Sequence, residues 1–297
     1  MGEKPAVRPD LAVGEALQAV ARDVLAEARA TLDDHTGSDA VAVHDFRKAM
    51  KRWRALLRLL EPFLGDEGQR LRDEARDCAR ELSGARDAQS AIEALEELAE
   101  RDTGLSARTV GSIRARLDDV RKSAEAASLT QAIRARLIVT LDQAAATIES
   151  WPVGKLKFAE LAHELTETYR RMREDAPGDD WRSVAPEVLH ALRRRVVAHR
   201  YQMELVEPLW PKLGRVWVAE AQRLRDRLGA FQDLSILLGF TAPHQPLAPW
   251  RSRLTPLIHA RQATHAKAAS RIAGRLLAEK PRAFRKRIEA LWDSGQR

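Results

Sequence analysis

From Leu11 to Leu32 the apolar positions Leu11, Leu17, Val20, Val24 and Leu25 recur at helical spacing, with polar residues between them. The same period predicts helices over about 39–61, 67–82, 86–101, 107–126 and 129–149, and then over 155–173, 185–207, 214–229, 231–239, 252–279 and 282–293. Ser38-Asp39 supplies an N-cap for the second helix, and Pro62 stands near its stop. Trp151-Pro152-Val153-Gly154 breaks the pattern and predicts two helical half-domains, 1–150 and 151–297. Thr241 to Pro249, with three prolines, reads as a loop. No strand pair and no Gly-rich phosphate loop stands out.

Composition agrees with an all-α fold. Ala, Leu, Arg and Glu dominate, aromatics are only 5%, and β-branched runs are short, which excludes an all-β protein and argues against any large sheet. The single cysteine, Cys78, rules out an intramolecular disulfide and a Cys-built zinc site, and reads as a small buried apolar residue. Nowhere do 18 apolar residues run together and the first residues carry no apolar signal core, so no membrane span and a cytoplasmic location are expected.

The segments 44–87 and 190–233 align without a gap at an offset of 146 residues. Eleven of the 44 pairs are identical, among them His44/His190, Arg47/Arg193, Arg54/Arg200, Glu61/Glu207, Pro62/Pro208 and Asp87/Asp233, where chance gives roughly three. Two helical halves of similar design account for this register.

Charge then singles out the repeated helix. The chain carries 50 Lys and Arg against 43 acids, a net charge of +7, and forty of the cations are Arg, whose planar fork suits phosphate oxygens. On a helical wheel at about 100° per residue, His44, Arg47, Lys48, Lys51, Arg54 and Arg58 fall within about 120° of arc. Phe46, Met50, Trp53, Leu57 and Leu60 form a stripe nearly opposite, so the helix packs one face and shows the other as a basic ridge. The second copy keeps His190, Arg193, Arg194 and Arg200 on the matching face, with Tyr201 beside them. There Val197 replaces Lys51, Arg195 points elsewhere, and His199 takes the packing position of Trp53. Residues 44–58 sum to +5 and residues 190–204 to +3, and neither face mixes signs as an ordinary solvated helix does. Both Arg47 and Arg193 are expected to face away from the apolar stripe. Residues 251–287, with eleven Lys and Arg against Glu279, are a further basic stretch that suits either a second contact surface or plain solvent exposure.

The paired histidines admit several roles. As a zinc pair they lack carboxylates at ligand spacing. His44-Asp45, with His35 upstream, resembles the His-Asp pair of metal-dependent phosphohydrolases, but Asp45 becomes Ala191 in the repeat. A His bridging within the ridge, able to donate to phosphate, fits both copies. Asp87 and Asp233 recur in both copies and read as helix caps.

The run Val43-His44-Asp45-Phe46-Arg47-Lys48-Ala49-Met50-Lys51-Arg52-Trp53-Arg54 resembles the opening motif of the CHAD domain, the conserved histidine α-helical domain. Leu82-Ser83-Gly84-Ala85-Arg86-Asp87 is similar to its downstream Leu-Gly-x-x-Arg-Asp element, with Ser83 in place of Gly. His190-Ala191-Leu192-Arg193 through Arg200-Tyr201 and Glu204, followed by Leu228-Gly229-Ala230-Phe231-Gln232-Asp233, is similar to the second-half motif, with Val197 where Lys is usual. The resemblance spans about residues 8–293. It implies two pseudo-symmetric four-helix bundles facing each other across a basic cavity that binds inorganic polyphosphate. His44, Arg47, Lys48, Lys51, Arg54 and Arg58 would line it from the first half, and His190, Arg193, Arg194, Arg200 and Tyr201 from the second. Family members associate with polyphosphate granules or are fused to a triphosphate-tunnel domain, which Met1-Gly2-Glu3-Lys4-Pro5 does not open. The implied protein is a standalone, non-catalytic binding module without a cofactor. Two rivals stay open: a nucleic-acid-binding helical protein, for which Tyr201 is the only stacking aromatic on the ridges, and a His-dependent phosphohydrolase or phosphotransfer protein.

Overall fold

The computed structural model describes residues 5–34, 38–82, 84–101, 104–125, 129–178 and 180–296. Its helices are α1 (Val13–Asp33), α2 (Asp39–Leu64), α3 (Asp66–Glu81), α4 (Gly84–Arg101), α5 (Ala107–Glu125), α6 (Gln131–Thr147), α7 (Phe158–Asp175), α8 (Pro186–Val206), α9 (Pro211–Phe240), α10 (Arg251–Leu276) and α11 (Pro281–Gly295). No strand occurs among the described residues, and the fold is all-α as the periodicity requires. No helix there is long and apolar enough to cross a membrane.

Local signals set most boundaries. The Ser38 hydroxyl accepts from the Val41 amide and starts α2. Helix α2 carries Pro62 in its last turn and stops at Gly65, whose φ of 57° is a conformation that a side chain disfavours. One expectation fails: α9 is a single helix of 30 residues where 214–229 and 231–239 were to be separate. Burial of Leu228, Phe231, Leu234 and Leu237 on one side of α9 outweighs the roughly 1 kcal/mol cost of Gly229 inside a helix. The offset of 146 lays α3 and the start of α4 onto this one helix, so the end of α3 at Glu81 in the first copy faces an unbroken stretch in the second.

Two apolar cores form, and both draw on residues from either side of the 151–154 turn. The larger joins α1, α2, α3 and α6 to α7, α8 and α11 and to parts of α9 and α10. The smaller packs Ile92, Leu95 and Leu98 of α4 and Ile113 and Leu117 of α5 onto Leu234 and Leu237 of α9 and Leu254 and Ile258 of α10. Between α4 and α10, Arg261 and the buried His265 both converge on the Glu97 carboxylate, with the Arg261 Nε at 2.9 Å. The 151–154 turn is clamped into the larger core. Trp151 stacks on Trp53 with ring centroids 5.9 Å apart, and a Cβ on Gly14 would lie 2.2 Å from the Val153 carbonyl oxygen, closer than any side chain allows. His199 does occupy a packing position: it is fully buried, accepts from Trp217 Nε1 at 2.8 Å, and is pushed down to about 3 by burial and then by Arg287, so it stays neutral. Cys78 is buried and unpaired, and burial pushes its thiol up.

Candidate functional site: a cationic groove beside the α2–α8 crossing

Helices α2 and α8 touch directly. Ala55, near the middle of the basic arc of α2, packs with Ala198 and Tyr201 in a small apolar cluster, and Gln202 Nε2 donates to the Ala55 carbonyl at 3.2 Å. The cationic side chains therefore fan out beside the contact, into two clefts and an inner cluster.

The inner cluster gathers around Lys51. Burial, and then Arg86, Arg193, Arg225 and Arg47, pushes its ammonium down to about 7. Four helices supply these groups: α2 gives Arg47 and Lys51, α4 gives Arg86, α8 gives Arg193 and α9 gives Arg225. The two repeated arginines do different local work. The Arg47 guanidinium donates to the Ala79 carbonyl at 2.6 Å and the Leu82 carbonyl at 3.1 Å, which satisfies carbonyls left open where α3 ends. At the counterpart of this break α9 continues, so Arg193 finds no open carbonyl. Its guanidinium lies 3.6 Å from where a Cβ on Gly229 would stand, and it makes no hydrogen bond to another described residue. Arg47→Ala should thus lower the unfolding free energy of the ligand-free protein by about 1–3 kcal/mol, whereas Arg193→Ala should not lower it. Denaturant unfolding of the two variants checks this.

The first cleft, about 520 Å³, lies between the C-terminal half of α2 and the N-terminal half of α8, walled by α3 and α7. Arg54, Arg58, Arg194 and Arg195 line it together with Arg72, Arg76 and Arg171. Arg58 is pushed down to about 10 by burial and then by Arg195, Arg72, Arg54 and Arg194. Arg54 is lowered by burial and then by Arg76, Arg72, Arg194 and Arg80. Glu61 and Asp73 are engaged with Arg72 and Arg76, while Arg54, Arg58 and Arg194 have no ion pair among the described residues. Arg193 of the inner cluster and Arg194 of the cleft are consecutive on α8 and both act on His190, and Arg80 stands near Arg54 just after the Ala79 carbonyl that Arg47 holds.

The second cleft, about 460 Å³, lies on the other side of the crossing and receives Lys48, Arg200 and Tyr201. Arg200 is paired with Glu204 and its guanidinium carbon sits 3.9 Å over the Tyr201 ring. Tyr201 is only 8% exposed, so it offers no free face to a base. The histidines differ as well: His44 is exposed, and the half-buried His190 shares a 3.1 Å hydrogen bond between its Nδ1 and Gln232. Burial is the main cause that lowers the His190 pKa.

The single ridge read from the wheel is thus split by Ala55, a small residue inside a cationic arc, which was the signal for the contact. Arg195 does not point elsewhere: it pairs with Asp175 of α7 at 2.8 Å and turns toward Arg58. Asp233 is not a cap. It lies within α9, half-buried, held above the usual carboxylate range by burial, and hydrogen-bonded to Ser90. Asp87 sits in the first turn of α4. Arg86 and Arg225 were not foreseen as site residues. Among the described residues no three His, Cys, Asp or Glu side chains group closely enough to hold a metal ion; His35 and Ser83 lie outside them.

Fold and groove together define an all-α protein with a partly buried row of cations in which arginines outnumber acids. The chain belongs to the CHAD domain family, whose model matches residues 15–242. Its fold is similar to PptA from Streptomyces chartreusis (TM-score 0.67, 19% identity, covering 90% of this chain and 99% of that one). It is also similar to the CHAD domain from the plant Ricinus communis (TM-score 0.68, 21% identity, covering 94% of this chain and 96% of that one). No curated protein sequence matches the chain.

Proposed function

We propose that the protein binds inorganic polyphosphate in the groove formed by the inner cluster and the first cleft, without hydrolysing it. One observation carries this reading. Lys51, Arg54, Arg58 and Arg193 are drawn partly out of water beside one another, and none has an ion pair among the described residues. Burying like charges together costs stability, and a polyanion that supplies a negative charge at every phosphate offsets that cost. The Nε atoms of Arg47, Arg54, Arg193 and Arg200 are buried without an acceptor, so the forks of these arginines are only partly satisfied by the fold. Nucleic acid fits less well, because no aromatic side chain lines the first cleft and Tyr201 is covered. Polyphosphate granules are where such a protein would meet its ligand.

The experiment is a titration with long-chain polyphosphate at several salt concentrations. By analogy with DNA, log affinity should fall with log salt with a slope of several units, and an affinity indifferent to salt would overturn the reading. Incubation with polyphosphate and Mg²⁺ should release no orthophosphate above a denatured control; sustained turnover abolished by His44→Ala would revive the phosphohydrolase.

Lys51 adds a pH signature. A bound phosphate favours the ammonium, so binding at a pH about one unit above 7 should take up protons, and affinity should fall as pH rises through that range. The sign for the ligand-free fold is opposite: unfolded Lys51 keeps its proton above 7, so stability rises with pH there. Calorimetry in buffers of different ionisation enthalpy reads the uptake, which Lys51→Met should remove.

A further inference from the structure

We propose that the groove is one-ended: it takes a terminal segment of a linear polyphosphate, whose last phosphate is received by Lys51 and the arginines around it. The proposal rests on the polyphosphate reading above.

The two clefts are related position by position. The offset of 146 that carries Arg54, Arg58, Glu61 and Pro62 of the first cleft to Arg200, Glu204, Glu207 and Pro208 also carries Lys48 to Arg194, and each cleft is lined by its own members of these pairs. A ligand that passed along both ridges would enter by one cleft and leave by the other. Only the first is built for it, with seven arginines against three acids. The second holds four cations against three acids, and there Glu204 stands where the first cleft has Arg58.

Two of its four cations are paired with acids of the same cleft. Glu204 pairs with Arg200, and Glu27 of α1 pairs with Arg52. The second cleft is also bounded by residues 5, 6 and 8, and the Val7 amide between them donates to the Leu205 carbonyl at 2.9 Å. The direct route between the helices is closed by the Ala55, Ala198 and Tyr201 contact. A chain entering along Arg58 and Arg54 therefore reaches Lys51, Arg86, Arg193 and Arg225 and meets acids and packed side chains beyond. A terminal phosphate suits that position, since its second ionisation near neutral pH gives it more charge than any internal unit.

The test uses the full-length protein and long polyphosphate whose two ends are blocked as phosphoramidates of a small neutral amine. Blocking leaves nearly all of the chain's charge. Unblocked chains should bind with a fixed number of protein molecules per chain whatever the length, and blocking should weaken binding about tenfold or more, the loss of one charge-assisted contact set. Equal affinity for blocked and unblocked chains, or a protein count that grows with chain length, would overturn the one-ended groove while leaving polyphosphate binding intact. Absence of binding to either chain would overturn both.

Discussion

Replacing Arg54 and Arg58 together by alanine should weaken polyphosphate binding roughly 10²–10⁴-fold, because two contacts to charged groups at about 1.5–3 kcal/mol each are removed. The same double variant should melt no lower than the parent. Both guanidiniums are half-buried among other arginines and are held less basic than in water, so in the ligand-free protein they repel more than they stabilise. Loss of affinity without loss of stability separates a binding residue from a structural one. The matching pair in the second cleft, Lys48→Ala with Arg200→Ala, should cost far less affinity, since Arg200 is already satisfied by Glu204. Calorimetry on the two double variants, with melting curves taken without ligand, gives both readouts.

The largest effect on stability should come from Trp53→Ala. Trp53 is 2% exposed and stacks on Trp151, so its removal both empties a core site and frees the turn that joins the two segments of the chain. Trp-to-Ala changes in a core cost about 3–5 kcal/mol, which in a chain of this size corresponds to a fall in Tm of about 10 °C. The stack lies on the apolar face of α2, opposite the cationic arc, so below the transition the variant should still bind, and saturating polyphosphate should raise its Tm by mass action. Differential scanning calorimetry with and without ligand decides it.

Trp53 also shows what could be read from the chain alone. The apolar stripe of α2, the helical segments, the N-cap at Ser38 and the packing role of His199 follow from periodicity, because one helix face must leave water and the spacing records which. The cationic arc was legible for the same reason. What a wheel cannot show is the third dimension around the arc. Ala55 gave no charge signal, yet as a small residue it admits α8 and divides the ridge. Arg86 and Arg225 stand on other helices, and only packing brings them to Lys51. Arg47 and Arg193 look equivalent in sequence, but α3 ends where α9 runs on, so one guanidinium is engaged by carbonyls while the other makes no such bond and instead faces Asp233 and Asp226. The unbroken α9 was missed because Gly229 reads as a stop, while burial on either side of it prevails.

The central claim is that the groove recognises polyphosphate as a polyanion without bases. The direct measurement is a side-by-side titration of the full-length protein with long-chain polyphosphate and with single-stranded RNA of matched total charge, in one buffer at one salt concentration. The structure predicts affinity for polyphosphate at least tenfold higher, because the groove offers guanidinium forks and no aromatic platform. RNA binding as tight as polyphosphate, or tighter, would contradict the account.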